Sequence, residues 1–161
     1  MSSVLTSAAI EFLRKHAPFN DMDADSLLMT AAHTHLSYHP AGTLVVGPDT
    51  GPAGVLYVLQ RGTVRARFAS GPALFDELVF APGEPFPISA VIGRRATTAQ
   101  YRAAEDCFSY EIDGSTVEEL MLRSPVFRHY CTAQIESLLQ QAYRRMRQSY
   151  SDEGEHERAM Q

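Results

Sequence analysis

The chain has 161 residues, of which 45% are hydrophobic and 20% charged, with a formal net charge of −5 at pH 7. This length suits one domain with a helical extension, and the net negative charge argues against a general nucleic-acid binder, which carries a clustered basic face. The sequence has no apolar run of membrane-spanning length, and its start, MSSVLTSAAIEF, lacks the basic region and long apolar core typical of a signal peptide, so we expect neither feature. We therefore expect a cytoplasmic protein that contacts neither membranes nor nucleic acids.

The N-terminal region, residues 1–34, has apolar residues at helical spacing. This spacing predicts a first helix from Val4 to His16. A second, shorter helix follows, and Asp23 or Asp25 is its candidate N-cap.

From His35 the apolar period changes to two, which predicts a β region over residues 35–112. Gly62 is expected to form the turn of a hairpin whose second strand places Val64, Ala66 and Phe68 on one face. Many short strands separated by Pro and Gly favour a sandwich, jelly roll or barrel. The segments that we interpret as strands are HLSY, TLVVG, VLYVLQRGTVRARF, ALFDELVF, TAQYRAA and CFSYEI.

Helices return over residues 113–150, and residues 151–161 have the composition of a polar tail or linker. Ser115 and Glu118 lie in capping-box register, and Ser124-Pro125 is a typical start for a long helix that reaches about Tyr150. The apolar stripe of this helix either packs on the core or forms the seam of a dimer, and the sequence favours neither alternative. The stripe consists of Phe127, Cys131, Ile135, Leu138, Ala142 and Met146.

The order of these elements, together with four short motifs, resembles the cyclic-nucleotide-binding domain family from about Phe12 to Leu139. The motifs are HPAGTLV with its turn at Gly42, LYVLQRGTV, PGEPF and TAQYRAAEDC. The resemblance implies a mainly β protein with flanking helices: an antiparallel β-roll, or double-stranded jelly roll, with N-terminal helices and a long C-terminal helix. The stretches FPISAVIGRR, YRAAEDCF and SPVFRHYC are most similar to the regulatory first domain of certain bacterial multi-domain proteins. Those proteins also carry a CBS pair and a nucleotidyltransferase-like module, neither of which is in this chain.

The resemblance also implies a phosphate-binding cassette at residues 81–99. In the family a short helix directs N–H groups at the cyclic phosphate, an acid binds the ribose hydroxyl and an arginine pairs with the phosphate. Gly83, Glu84 and Phe86 match this pattern. Pro87 stands in place of a glycine and lacks an N–H, Ile88 stands in place of the acid, and Thr97 stands in place of the arginine. We therefore interpret the cassette as degenerate.

Two neighbouring arginines, Arg94 and Arg95, would compensate for the missing arginine if one of them swung inward. Surface arginines are more commonly solvated loop charges. Thr97 and Thr98 are candidate hydroxyl donors. No cofactor is assigned, and the candidate ligand is a cyclic nucleotide (cAMP or cGMP) or another small anion. The candidate ligand-binding residues are Gly83, Glu84, Phe86, Pro87, Ile88, Ser89, Ala90, Arg94, Arg95, Thr97 and Thr98.

Other chemistry is weakly indicated. His33, His35 and His39 would share a strand face and make a metal site conceivable, but a structural role is favoured and no metal is assigned. Cys107 and Cys131 lie among apolar neighbours and are expected to be buried free thiols, consistent with the cytoplasm.

We expect a regulatory, signal-transduction domain with weak or altered nucleotide binding, and we do not expect an enzyme. The alternative is a dimerisation or interaction module that binds no ligand and forms a homodimer through the C-terminal helix. A cupin-like metal enzyme is a distant third.

Overall fold

The computed structural model describes residues 3–68 and 77–160. The helices are α1 (Ser3–Leu13), α2 (Ala24–Ala32), α3 (Ile88–Gly93), α4 (Gly114–Arg123) and α5 (Pro125–Ala159). The strands are β1 (Thr34–His39), β2 (Leu44–Val46), β3 (Val55–Arg61), β4 (Val64–Phe68), β5 (Leu78–Phe80), β6 (Pro85–Phe86), β7 (Ala99–Ala103) and β8 (Cys107–Asp113). The predicted fold class, a mainly β protein with N-terminal helices and a long C-terminal helix, is confirmed. Residues 73–76 of the predicted strand ALFDELVF lie outside the described residues.

The strands form two antiparallel four-stranded sheets. The first sheet has the order β1-β8-β3-β6, and the second has the order β2-β7-β4-β5. In the first sheet β3 and β8 pair from Val55 opposite Asp113 to Arg61 opposite Phe108. In the second sheet β4 and β7 pair without interruption from Val64 opposite Ala103.

Successive side chains of a strand point to opposite sides, so the two faces of the first sheet pack against different elements. One face packs against the helices and forms the helical core, which includes Leu56, Val58 and Ile112 with residues of all five helices. The other face meets the second sheet and forms the roll core. The buried members of the roll core are Leu59, Val64, Phe86, Ala103 and Cys107.

The predicted hairpin around Gly62 is wrong, because β3 and β4 belong to different sheets. Gly62 has φ +99, and a Cβ there would come within 2.6 Å of the Cys107 sulfur. Only glycine tolerates both conditions, so this turn transfers the chain from the first sheet to the second. The predicted face of β4 is confirmed, since Val64 and Ala66 are buried and Phe68 is half-buried.

The helix starts follow the predicted caps in two of three cases. Asp23 caps α2, where its carboxylate accepts a hydrogen bond from the Ser26 N–H at 3.0 Å. Ser124 caps α5 through the Phe127 N–H at 3.1 Å. The predicted capping box of Ser115 is wrong, because α4 begins earlier, at Gly114, where the strand β8 ends directly in the helix.

Helix α5 continues to Ala159, so the polar tail expected from residue 151 is helical. Most residues after Tyr150 are Glu, Arg, Ala and other types that cost little in a helix, and this explains the continuation. The helix is buried in the core only near its N-terminal end, because its buried residues are Phe127 and Cys131. Farther along the predicted stripe Ile135, Leu138 and Ala142 are only half-buried.

Candidate functional site

The predicted cassette comprises a turn, the short strand β6 and the helix α3. Gly83 forms the turn with φ +89, and its N–H donates to the Leu59 carbonyl at 2.8 Å. The Glu84 carboxylate accepts a hydrogen bond from the Ala81 N–H at 2.9 Å. Glu84 therefore closes its own turn, which is a structural role.

Gly83 is also the contact between the cassette and the end of α1. A Cβ at this position would lie 2.2 Å from His16 Nδ1. The His16 ring packs against Phe12 with a centroid separation of 4.7 Å, and Phe12 contacts Tyr110 of the first sheet. The imidazole consequently lies over the glycine, a contact that sequence reasoning did not predict.

Phe86 is buried in the roll core between two tyrosines. Its ring stacks on Tyr57 at 5.5 Å and on Tyr101 at 5.3 Å, and Phe80 lies 5.0 Å away. Burial disfavours the charged phenolate and raises the pKa of Tyr101 to about 12. The start of the cassette is thus fixed by an aromatic stack that joins the two sheets.

The residues that begin α3, Pro87 and Ile88, offer no polar side chain to an anion. Pro87, the N-cap residue, is buried and has no N–H to donate. Ile88 is half-buried and packs against the helical core, and Ala90 is buried in that core. An apolar side chain therefore begins the helix where a polar group would be needed to bind a sugar hydroxyl.

Arg94 ends α3 and points away from its first turn. It is the C-cap residue, in the left-handed conformation with φ 52, and its guanidinium forms an ion pair with Glu118 of α4. Both side chains are exposed. Among the described residues Arg94 alone combines a side chain with a positive φ. Its backbone therefore ends α3, and its charge connects α3 with α4.

Arg95 has the opposite orientation and reaches back to the first turn. One guanidinium nitrogen donates a hydrogen bond to the Ser89 hydroxyl. Its backbone is held on both sides, because its N–H donates to the Ala90 carbonyl at 3.0 Å and its carbonyl accepts from the Ala53 N–H at 3.0 Å. Of the two arginines predicted to compensate, the structure brings Arg95 to the cassette helix.

The two threonines differ in accessibility. Thr97 is buried, and its hydroxyl donates to the Ala99 carbonyl at 2.8 Å. Thr98 is exposed. Thr97 is therefore committed to its own backbone, and its predicted role as a hydroxyl donor to an anion is not supported by this geometry.

The three histidines do not converge. His33 is the C-cap of α2, before β1 begins, so the prediction that all three share a strand face is wrong. His39 is half-buried with Nε2 2.8 Å from the Ser109 hydroxyl, and desolvation lowers the pKa of this imidazole. Within residues 3–68 and 77–160, no group of three or more His, Cys, Asp or Glu side chains is arranged to hold a metal ion.

Both cysteines are free and buried, as predicted. Burial raises the pKa of the Cys131 thiol to about 12 and also raises that of Cys107. Protonated, enclosed thiols are poor nucleophiles, so neither has the character of a catalytic cysteine. None of the helices in the described part of the chain is long and apolar enough to cross a lipid bilayer.

Sequence reasoning missed the residues that complete the cassette from other elements. These are Glu118, which forms an ion pair with Arg94, His16, whose ring lies over Gly83, and Tyr57, which stacks on Phe86. The alternation of β3 offered a signal for Tyr57, because it shares a face with the buried Leu59. No local signal exists for the other two contacts, which depend on how the helices pack.

Several solved structures share this fold. The regulatory domain of Toxoplasma gondii PKA, crystallised with cAMP, matches with a TM-score of 0.73 and 18% identity over 84% of this chain and 51% of that one. This chain thus spans about half of the crystallised Toxoplasma chain. A putative cyclic nucleotide-binding protein from Geobacter metallireducens GS-15 matches with a TM-score of 0.67 and 21% identity, over 86% of this chain and 99% of that one.

The sensor domain of the transcriptional regulator DNR from Pseudomonas aeruginosa matches with a TM-score of 0.66 and 15% identity, over 80% of this chain and 91% of that one. No protein-family model and no curated protein matches the sequence. At these identities the comparisons show the fold, which is that of cyclic-nucleotide-binding domains, and the predicted β-roll is confirmed.

Proposed function

We propose that this chain is a cytoplasmic regulatory domain, not an enzyme, whose cassette binds cAMP and cGMP only weakly. The observation that carries the proposal is the start of α3, where Pro87 and Ile88 stand and Ile88 packs into the helical core. The family pattern needs an N–H and a carboxylate at these two positions. A hydrogen bond to a charged group contributes about 1.5–3 kcal/mol, so losing two such contacts weakens binding on the order of a hundredfold or more.

The charge that remains near α3 supports altered rather than ordinary binding. Arg94 is paired with Glu118, whereas Arg95 lies beside the Ser89 hydroxyl on the exposed side of the first turn. A small anion that displaces this single hydrogen bond would gain the guanidinium and the hydroxyl together. We therefore assign Ser89 and Arg95 as the polar contacts of any small anionic ligand.

Calorimetric titration with cAMP, cGMP and linear nucleotides tests this function. We expect no heat from cAMP or cGMP below about 100 μM, which corresponds to less than about 6 kcal/mol of binding free energy. A dissociation constant near 1 μM or tighter for either cyclic nucleotide would overturn the proposal. Arg95→Ala should weaken the binding of any small anion that the natural chain binds. Arg65→Ala, on the exposed face of β4, is the matched arginine control and should leave that binding unchanged.

A second candidate function is a homodimerisation module, and the exposed half of α5 favours it. Beyond Cys131 the helix has no buried residue, yet Leu139 and Tyr143 are large apolar side chains that face solvent. Apolar surface of this kind is commonly a protein contact. Light scattering at increasing concentration distinguishes a dimer from a monomer without reference to any ligand.

The two candidates are compatible with one regulatory role. The resemblance to first domains that precede a CBS pair and a nucleotidyltransferase-like module supports control of a following module. Helix α5 is the element that would transmit a signal, because it contacts both α3 and α4.

A further inference from the structure

The outer face of the second sheet carries a row of exposed side chains that crosses all four strands. From β2 to β5 the row consists of Leu44, Arg102, Arg65 and Val79. Residues that lie opposite one another in antiparallel strands share a face, and here that face is turned away from the roll core. Because neighbouring strands are about 4.8 Å apart, the row is about 14 Å long.

The two central arginines of the row repel each other. Arg102 and Arg65 lie directly opposite each other, and like charges at such positions destabilise a sheet. Glu77 offsets only part of this repulsion, because its carboxylate accepts a hydrogen bond from Arg67 Nε at 2.9 Å and lies 3.8 Å from the Arg65 guanidinium. Among the described residues the Arg102 side chain has no carboxylate partner, and its one hydrogen bond is a long contact of 3.4 Å to the Gly42 carbonyl. A sheet that keeps a destabilising pair of charges is expected to use them outside the fold.

The charge of this face is opposite in sign to that of the chain. With Arg67 and Glu77 included, the face carries a formal charge of about +2, whereas the chain as a whole carries −5. Leu44 and Val79, which are 37% and 55% exposed, end the row on its two sides. The phosphates of a nucleic acid would leave these apolar ends without a partner, and the net charge of the chain would repel a polyanion. The face is instead complementary to a protein segment in which two carboxylates lie between two apolar side chains.

We infer that this row, the arginine face, binds an acidic helix of a partner protein that lies across the strands. Successive turns of a helix repeat about every 5.4 Å, so side chains on four turns extend over about 16 Å, close to the length of the row. An extended segment repeats its same-side residues about every 6.7 Å and would extend over about 20 Å, well beyond the row.

Each part of the row has a counterpart on such a helix. Carboxylates on the two central turns meet Arg65 and Arg102, whose planar guanidinium groups bind a carboxylate through two hydrogen bonds. Apolar side chains on the two outer turns cover Leu44 and Val79. This docking requires neither nucleotide binding by the cassette nor pairing of α5.

A labelled helical peptide tests the docking. The probe is a peptide of about 16 residues, cross-linked through its side chains to keep it helical, with Leu, Glu, Glu and Leu on four successive turns. The control peptide has Gln in place of both Glu residues. In fluorescence anisotropy the natural chain should bind the acidic peptide on the order of tenfold more tightly than the control peptide. Salt at about 0.5 M should remove most of this difference, because the contacts are exposed charge pairs.

Variants of the arginine face separate docking from folding. Arg65→Glu combined with Arg102→Glu should lose the acidic peptide and bind instead a peptide with Lys on the two central turns, which an unfolded variant would not do. Arg61→Glu, at an exposed arginine of the first sheet, is the matched control and should leave binding of the acidic peptide unchanged. Arg102→Gln should weaken peptide binding severalfold without lowering the midpoint of chemical denaturation, because it removes a like-charge contact.

Equal binding of the acidic and control peptides by the natural chain would overturn the inference. A lowered denaturation midpoint of Arg102→Gln with unchanged peptide binding would also overturn it, because Arg102 would then serve the fold alone. Labelled duplex DNA and vesicles of phosphatidylserine and phosphatidylcholine are the competing probes. If either bound the natural chain more tightly than the acidic peptide and lost that binding in the double glutamate variant, the face would bind a nucleic acid or a membrane and not a protein helix.

Discussion

Arg94, the residue that ends the cassette helix α3, forms an ion pair with Glu118 on α4. The pair connects α3 to the helix that precedes α5, and both side chains are exposed. Exposed ion pairs contribute about 0.2–1 kcal/mol. We therefore expect a double-mutant cycle of Arg94→Gln and Glu118→Gln, measured by chemical denaturation, to give a coupling of less than about 1 kcal/mol.

The pair at Arg123 and Glu119 is the matched control, because it lies on a single helix and does not reach the cassette. Hydrogen exchange should rise at the end of α3 in the Arg94→Gln chain and stay unchanged there in the Arg123→Gln chain. Equal exchange in both would mean that the ion pair plays no part in holding α3 to α4.

Gly83→Ala should destabilise the protein far more than Gly42→Ala. Both glycines have similar positive φ values, +89 and +83, so the backbone cost of a side chain is alike at about 1–2 kcal/mol. A Cβ at Gly83 would also meet His16 at 2.2 Å, whereas nothing lies within 4 Å of one at Gly42. The overpacking adds about 1–3 kcal/mol, to be measured by denaturant unfolding.

The contact itself is tested by a second substitution. In a His16→Ala background the extra cost of Gly83→Ala over Gly42→Ala should largely vanish, because the ring no longer occupies the space. An undiminished difference would show that the histidine is not the cause.

Much of the fold could be predicted from the sequence because its signals are local. Alternation in β4 predicted which residues face inward, and Asp23 and Ser124 predicted two helix starts. The hairpin at Gly62 could not be distinguished from a corner between two sheets, since a turn glycine serves both. The continuation of α5 beyond Tyr150 was missed because a polar helix and a polar tail have the same composition.

The candidate site was predictable only in part for the same reason. The identities of Pro87, Ile88 and Thr97 indicated a degenerate cassette, which remains a proposal. The different fates of Arg94 and Arg95 depend on the left-handed conformation of Arg94 and on Glu118, which is distant in sequence. Adjacent residues of one type carry no local signal of which one points to which partner.

Alkaline pH should weaken the fold through Tyr101. Burial raises the pKa of its phenol to about 12, above the ordinary value near 10 of the unfolded chain. Between these values the unfolded chain loses the proton first, so the stability that is present below pH 10 is lost as the pH rises toward 12. Tyr101→Phe should reduce the slope of unfolding free energy against pH over pH 9.5 to 11, roughly.

Tyr143→Phe is the control for this slope, because that tyrosine is 62% exposed on α5. Its substitution should leave the slope unchanged. The same loss of slope in both variants would exclude burial in the roll core as the cause.

An arginine cannot be introduced at Thr97 without cost. Thr97 is 5% exposed, and its hydroxyl is bonded to the Ala99 carbonyl, so a guanidinium there would be buried without a partner. We expect Thr97→Arg to lower the unfolding free energy by about 3 kcal/mol or more, which places it among the severe single substitutions. Thr98→Arg is the control, because the neighbouring threonine is exposed and should accept the same side chain with a change of less than about 0.5 kcal/mol.

Adding Ile88→Glu to Thr97→Arg should lower stability again, because Ile88 packs against the helical core. Neither the single nor the combined variant should gain binding to cAMP in calorimetric titration. A combined variant that stays folded and binds cAMP near 1 μM would instead mean that the two missing side chains alone separate this cassette from a working one. In that case the burial of Thr97 and the packing of Ile88 would be consequences of the substitutions and not barriers to reversing them.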